Sequence, residues 1–425
     1  MRKTKIVCTI GPKSESLEMM EKLVLAGMNV MRMNFSHGDH EEQLKRVLNI
    51  RKINKKLGTH VATMLDTKGP EIRTGQLKEQ KVTLTEGQKF TLTAEEIEGD
   101  ETRVSISYKE LVNDVAPGSR ILIDDGLIGL VGDEVQGTEI LCTVENGGIL
   151  SSKKGVNVPN VKINLPPITE KDRNDIIFGI GQGVDFIAAS FVRNADAIHE
   201  IRNILKAHGV EEEIAIIAKI ENQEGVDNID EILKAADGIM VARGDLGVEI
   251  PEEEVPYIQK MLIHKCNEAF KPVITATQML DSMIRNPRAT RAEVTDIANA
   301  IYDGTDAIML SGETAMGKYP IEALKTMVNI AKFTESKMDY DAMLQLKREY
   351  RSRGISTAVS YAAVATARNL DATLLVVGST AGFSARMVSK FRPKANIIAL
   401  TPLERTQRRM QIYWGITSFI APMDA

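Results

Sequence analysis

What most constrains this chain is an alternation. Short apolar runs at residues 4–10, 29–35, 61–66, 186–192, 214–220, 238–241, 272–276 and 307–310 are separated by stretches of helical period. Those stretches include 18–25, 41–57, 195–208, 226–235, 257–269 and 291–302. A run that is apolar at every position and bounded by turn residues reads as a strand buried on both faces, and such strands belong to parallel sheets. Eight of them with crossover helices predict an α/β chain folded as a (β/α)8 TIM barrel, filled by layers of aliphatic side chains. An aromatic content of 4% agrees with an aliphatic interior. A doubly wound open sheet produces a similar alternation, so spacing leaves both arrangements standing.

The alternation stops after Asp66-Thr67-Lys68-Gly69-Pro70 and resumes near Pro166-Pro167-Ile168-Thr169-Glu170. Between them, period-2 runs at 81–84, 89–92, 103–106, 120–123 and 139–144 are divided by Gly- and Asp-rich turns, which predicts an inserted all-β domain, a small β-barrel. An insertion after the third strand sits over the rim where barrel active sites are built, so it can serve as a lid. A loose polar connection around Asp339, Tyr340, Asp341 and Lys347-Arg348-Glu349 opens a second, smaller α/β unit, with helices at 356–368 and 404–413 and strands at 374–378 and 397–400. The expected division is a catalytic barrel over 1–69 and 167–335, a lid over 70–166 and a C-terminal α/β domain over 336–425. About three domains is what a chain of this length predicts.

Composition narrows the classes of function. Hydrophobic residues at 43% and charged residues at 26% describe a folded globular chain, not a fibrous or disordered one. Cys8, Cys142 and Cys266 lack the spacing of a disulfide framework or a zinc cluster and read as reduced thiols of a cytoplasmic protein. Arg2, Lys3 and Lys5 precede an apolar run that ends at Gly11-Pro12-Lys13, too short for a signal peptide, and no run is long enough to span a membrane. The net charge of −5 is uneven: residues 70–166 hold 10 basic against 16 acidic side chains, and residues 336–425 hold 13 against 6. An acidic middle with few aromatic rings makes a poor nucleic-acid clamp.

Chemistry gathers where the apolar runs end: Arg32, Asn34 and Ser36; Asp66, Thr67 and Lys68; Ser190; Lys219 and Glu221; Arg243 and Asp245; Thr277 and Gln278; Ser311 and Glu313. Any one of these reads equally well as a solvated strand end or helix cap. In a barrel all of them converge on one rim, and convergent cations and carboxylates are what a site for phosphate plus metal requires.

The same segments carry a resemblance. Lys5-Ile6-Val7-Cys8-Thr9-Ile10-Gly11-Pro12, Arg32-Met33-Asn34-Phe35-Ser36-His37-Gly38 and Asp66-Thr67-Lys68-Gly69-Pro70-Glu71-Ile72-Arg73 are similar to motifs of the pyruvate kinase family. So are Ile217-Ala218-Lys219-Ile220-Glu221-Asn222, Met240-Val241-Ala242-Arg243-Gly244-Asp245-Leu246-Gly247, Ala276-Thr277-Gln278-Met279-Leu280 and Ser311-Gly312-Glu313-Thr314, in the same order. The resemblance implies phosphoryl transfer from phosphoenolpyruvate to ADP, giving pyruvate and ATP. It assigns Glu221 and Asp245 to Mg2+ (or Mn2+), two carboxylates suited to a hard octahedral cation. It places Lys219 on the transferring phosphoryl group and the developing enolate, Arg32 on the substrate phosphate, and Arg73 on the nucleotide phosphates. The backbone around Gly244 and Asp245 would cradle the substrate carboxylate with the Thr277 hydroxyl beside it, and Thr277 would also lie on the route that brings a proton to the enolate.

Asn34, Ser36, Asp66 and the Thr67 carbonyl match the family's K+ ligands, and Glu71 stands where its K+-dependent members carry Glu. Nucleotide contacts implied are Pro12, His37 and Lys154, although His37 also reads as an ordinary loop histidine. The other histidines have no ligand spacing. Ser379, Thr380, Gly382 and Ser384 resemble the family's loop for a phosphorylated effector, and the basic character of the last segment favours an anion there; Arg405, Arg408 and Arg409 read alternatively as a solvated helix face. A typical member continues past Phe419-Ile420 with a further helix–strand–strand unit, so the C-terminal domain is expected to be incomplete and to leave an uncovered sheet edge. The family resemblance also implies a homotetramer under allosteric control. A related-barrel lyase would not need the lid or the Arg32, Arg73 and Asn34/Ser36/Asp66 set, and a non-catalytic sensor would not need Lys219, Glu221 and Asp245.

Overall fold

A computed structural model describes residues 1–348 and 354–422. The barrel strands are β1 (Lys5–Thr9), β2 (Val30–Asn34), β3 (Ala62–Asp66), β4 (Phe186–Ala189), β5 (Ala215–Ile220), β6 (Gly238–Ala242), β7 (Val273–Ala276) and β8 (Ala307–Leu310). Each pairs in parallel with its chain neighbours, and β8 pairs with β1 to close the ring. That closure decides between the two arrangements left open by the sequence. Period-2 geometry sorts the strand residues. Val7, Val30, Met64, Phe186, Ala188, Ile217, Met240, Ile274 and Met309 fill the inside, while Ile6, Cys8, Met31, Leu65, Ile187, Ile216 and Ile308 pack outward against the helices. Helix limits follow local chemistry: Ser16, Asp39, Thr169 and Thr290 accept N-cap hydrogen bonds, and Gly27, Gly58 and Gly304 close helices in the left-handed region. The helix expected over 226–235 is two, Gln223–Asp227 and Ile229–Ala235, divided at Asn228, whose amide donates to the Arg193 carbonyl.

The inserted unit begins with the strand Ile72–Arg73, six residues after β3 ends. Its seven-stranded mixed sheet runs in the order Ile72–Arg73, Gly155–Asn157, Arg120–Ile123, Ile128–Gln136, Glu139–Asn146, Lys89–Thr93, Arg103–Ser105. A single bridge between Thr74 and Ile106 joins the sheet's two ends, and Lys81–Leu84 pairs separately with Gly148–Ser151. The five expected strands are present. The strand Ile128–Gln136 was not expected, because Gly129 and Gly132 interrupt its alternation and register shifts occur against its partner. The unit also holds a short helix, Leu111–Asp114, so it is not wholly β.

The last unit is a three-stranded parallel sheet of β9 (Leu374–Gly378), β10 (Asn396–Thr401) and β11 (Ile416–Ile420), with helices Ile355–Asn369, Phe383–Lys390 and Glu404–Arg409. The expected loose connection is instead a helix, Tyr340–Lys347, capped by Asp339, whose side chain accepts from the Asp341 and Ala342 N–H groups. Glu349 lies outside the described residues. The basic side chains of the helix Glu404–Arg409 are half-buried and each reaches the barrel. Arg408 pairs with Asp185 at 2.9 Å, Arg405 with Glu213, and Arg409 donates to the Glu212 carbonyl. Lys390 and Arg392 reach the fully buried Asp306 at 2.6 and 3.1 Å, at the foot of β8. Much of the local positive charge therefore docks this unit on the barrel's acidic underside.

Candidate active site

The barrel's interior alternation does not end with its apolar layers. Thr9, Arg32, Asp66, Ser190 and Lys219 share the parity of Val7, Val30, Met64, Ala188 and Ile217, so each points inward one step further along its strand. A polar layer thus caps the aliphatic ones at the C-terminal rim. Strands β1 and β2 are aligned with Thr9 opposite Arg32, which sets the first two members side by side.

Within that layer the contacts are short. Arg32 Nε donates to Asp66 Oδ2 at 2.6 Å, and its Nη1 donates to Thr9 Oγ1 at 2.9 Å. Lys219 Nζ donates to Asp66 Oδ1 at 3.1 Å and to Ser190 Oγ at 2.8 Å, and lies 3.0 Å from Glu221 Oε1. Burial pushes the Asp66 carboxyl up, but Arg32 and Lys219 more than offset this and hold it below its ordinary value. Burial alone would lower Lys219; Asp66 and Glu221 outweigh that and keep it charged. A cation held by two carboxylates and a hydroxyl is pre-organised, with little rearrangement left for the moment of reaction.

Glu221 and Asp245 supply the test for a divalent metal. Glu221 is fully buried. Its Oε2 accepts the Phe191 N–H at 2.6 Å, whereas Oε1 accepts no hydrogen bond and lies 3.0 Å from the Lys219 ammonium. Burial drives Glu221 up to about 7, with Lys219 opposing and Asp245 adding repulsion; burial likewise raises Asp245. Two neighbouring carboxylates, one with an orphaned oxygen, are a donor set that a divalent cation satisfies. The described residues contain no cluster of three or more His, Cys, Asp or Glu in metal-binding array, so this pair leaves the other positions of an octahedral ion to water or substrate oxygens.

Phe191 reaches Glu221 from a strained corner, with φ of 53°. The corner is shaped by Thr67, whose hydroxyl accepts the Ser190 N–H at 3.0 Å and whose carbonyl accepts the Ser190 hydroxyl at 2.6 Å. It leans on Gly69, where a Cβ would meet Ser190 Cβ at 2.8 Å and Phe191 Cδ2 at 2.9 Å. The Thr67 carbonyl, the Asp66 carboxylate and Asn34, whose side-chain oxygen accepts the Ser36 N–H at 3.0 Å, all lie at the ends of β2 and β3. These are oxygen donors that carry one formal charge among them.

Across the rim, Thr277 adopts φ of 68° and Gln278 φ of 54°. For a β-branched residue this is an outlier, with strain of order 1–3 kcal/mol. The Thr277 hydroxyl accepts the Gly244 N–H at 2.7 Å and donates to the Ala276 carbonyl at 2.6 Å. Gly244 and Thr277 are therefore brought together, with the Gly244 N–H turned onto Thr277.

Over the rim, the inserted unit and the barrel enclose a cavity of about 750 Å³, with Arg73, Asp124 and Lys154 on the upper wall and Phe191, Asn222 and Asp245 below. Arg73 is gripped on both nitrogens by Glu71 at 2.7 and 2.9 Å, and Lys68 shares that carboxylate at 3.0 Å. Lys154 pairs with Asp124 at 2.8 Å. Pro12 and His37 are exposed at the ends of β1 and β2. Far from this cavity, Ser379 is buried while Thr380 and Ser384 are exposed, around Gly382 in the left-handed region at the start of its helix. Sequence reasoning placed Ser190 and Arg243 among the polar strand ends without giving either a role, and did not single out Thr9, for which strand parity was the available signal.

A closed parallel barrel whose mouth gathers Arg32, Lys219 and two neighbouring carboxylates has the charges that a phosphotransferase needs. Residues 1–324 match the family profile described as the pyruvate kinase barrel domain, and residues 357–425 match the pyruvate kinase alpha/beta domain. The chain belongs to the pyruvate kinase family, and membership implies phosphoryl transfer that leaves pyruvate from phosphoenolpyruvate. Among its relatives, the pyruvate kinase of Geobacillus stearothermophilus is 57% identical over 423 residues, 99% of this chain and 72% of that protein. That of Clostridium acetobutylicum is 53% identical over 422 residues, 99% of this chain and 89% of the other. The crystal structure of a pyruvate kinase from Cryptosporidium parvum superposes with a TM-score of 0.96 at 42% identity, covering 99% of this chain and 87% of that one.

Proposed function

We propose that the chain transfers the phosphoryl group of phosphoenolpyruvate to ADP, with Mg2+ or Mn2+ held by Glu221 and Asp245 and K+ held by Asn34, Ser36, Asp66 and the Thr67 carbonyl. The observation that carries this reading is Lys219, fixed between Asp66 and Glu221 at 3.1 and 3.0 Å beside a carboxylate oxygen without a donor. Arg32 and Lys219 grip the phosphoryl oxygens. As the phosphorus–oxygen bond to the enol breaks and a new one forms to the ADP terminal phosphate, Lys219 stays beside the oxygen that gains negative charge. Cations held by those residues would supply neutralisation of the phosphoryl charge. A proton delivered past Thr277 to the methylene carbon of the enolate completes pyruvate. Arg73 and Lys154 exchange Glu71 and Asp124 for nucleotide phosphates, with Pro12 and His37 at the edge, and the 70–166 unit closes as a lid that excludes water.

In the same reading the protein works in the cytoplasm as a homotetramer, and the loop of Ser379, Thr380, Gly382 and Ser384 takes a phosphorylated effector. A lactate dehydrogenase-coupled assay with phosphoenolpyruvate and ADP, with Mg2+ and with or without K+, tests the reaction. Turnover that needs both cations is expected. Its absence from intact, folded protein overturns the reading.

A further inference from the structure

Arg243 lies at the start of the helix Arg243–Glu249, immediately before Gly244 and Asp245, yet its side chain crosses to the neighbouring strand. Nε donates to the Ala276 carbonyl at 3.2 Å and Nη2 to the Thr277 carbonyl at 2.8 Å. Nη1 meets Asp296 at 2.6 Å and Gln259 Oε1 at 3.3 Å. All three guanidinium nitrogens are thus engaged, with side-chain exposure of 11%. The two carbonyls it forks belong to the residues around the left-handed turn at Thr277. In return, the Thr277 hydroxyl accepts the N–H of Gly244, the residue after Arg243, at 2.7 Å. The ends of β6 and β7 are stitched in both directions.

A β-branched residue in the left-handed region persists only where its surroundings over-determine it. The Arg243 fork is that determinant: it orients both peptide carbonyls at once, which a point charge on a flexible stem does not do. We infer that Arg243 is a positioning residue, whose function is to hold Thr277 in its strained conformation and so fix where the Thr277 hydroxyl and the Gly244 backbone stand on the rim that the proposed reaction uses. It touches no substrate itself. The inference rests on the proposed function above, in which Thr277 serves the proton route and the carboxylate cradle.

The test is a double-mutant cycle in the coupled assay, using wild type, Arg243→Lys, Arg243→Met, Thr277→Ala and the Arg243→Met/Thr277→Ala double variant. With the lysine or methionine variant, kcat should fall by about 100-fold while KM for ADP, bound on the lid side, is unchanged. The double variant should be no slower than Thr277→Ala alone, because the arginine acts through the threonine. Arg243→Lys keeps a cation beside Asp296, so it carries the cycle with Thr277→Ala if the methionine variant fails to fold. An Arg243→Lys enzyme retaining more than about a third of kcat, or losses that multiply toward about 10⁴-fold, overturns the clamp. No turnover in wild type overturns the proposed function and the clamp with it; normal wild type with an unaffected lysine variant overturns the clamp alone.

Discussion

Arg408 Nε donates to Asp185 Oδ1 at 2.9 Å, tying the C-terminal unit to the foot of the strand whose top carries Ser190 and Phe191. Asp185 is buried; burial pushes its carboxyl up, with Arg408 and the Thr63 N–H and hydroxyl opposing.

Removing that arginine should leave a carboxylate stranded under the barrel. Arg408→Leu is expected to lower unfolding free energy by about 3 kcal/mol, as for one partner of a largely buried pair. Adding Asp185→Asn should restore much of the loss. Urea melts of the three variants check it, and a loss under about 0.5 kcal/mol would place the pair with ordinary surface bridges.

Stability should rise from pH 7 to pH 8.5 through Lys5. Its ammonium donates to the Ile416 carbonyl at 2.5 Å; burial lowers it to about 7, Arg2 adds to this and Glu335 opposes. Above that value the folded state has released a proton that the unfolded state still holds, so unfolding becomes less favourable as pH rises. Relative to Lys5→Met, wild type should gain about 1–2 kcal/mol over this interval. Equal pH slopes in the two proteins would contradict the buried, deprotonating lysine.

Lys219→Met should reduce turnover by at least about 10³-fold, since a fixed charge at the developing enolate is lost. Mn2+ binding, followed by proton relaxation of water, should survive because Glu221 and Asp245 are untouched. Retained turnover would remove Lys219 from its assigned role.

Gly69→Ala should act on the cation sites from outside them. With φ of 74° and Ser190 and Phe191 inside 3.0 Å of the new Cβ, the corner must shift. A stability loss of about 1–3 kcal/mol is expected, with a raised K+ requirement in the assay. An unchanged K+ activation curve would separate the corner from the monovalent site.

The barrel was legible because doubly buried strands leave an unbroken apolar signature, as in 214–218 and 307–310. The strand Ile128–Gln136 was not, because Gly129 and Gly132 break its period. Arg32, Asp66 and Lys219 stood out as polar ends of apolar runs, and their shared parity places them in one layer. The Arg243 clamp was hidden: its partners lie 34 and 53 positions away, and a left-handed threonine looks like any other in a sequence. The arginines of Glu404–Arg409 looked solvated because their carboxylates sit on a different unit.

The polar layer at the mouth continues the alternation that fills the barrel below it. A one-residue slip of β2, β3 or β5 would therefore swing Arg32, Asp66 or Lys219 into the helix-packing shell and bring an apolar side chain to the rim. Each misaligned strand would strand a charge without its counter-ion. These charged rim groups thus act as a proofreader of strand alignment, and a barrel that has closed correctly has already assembled its polar mouth.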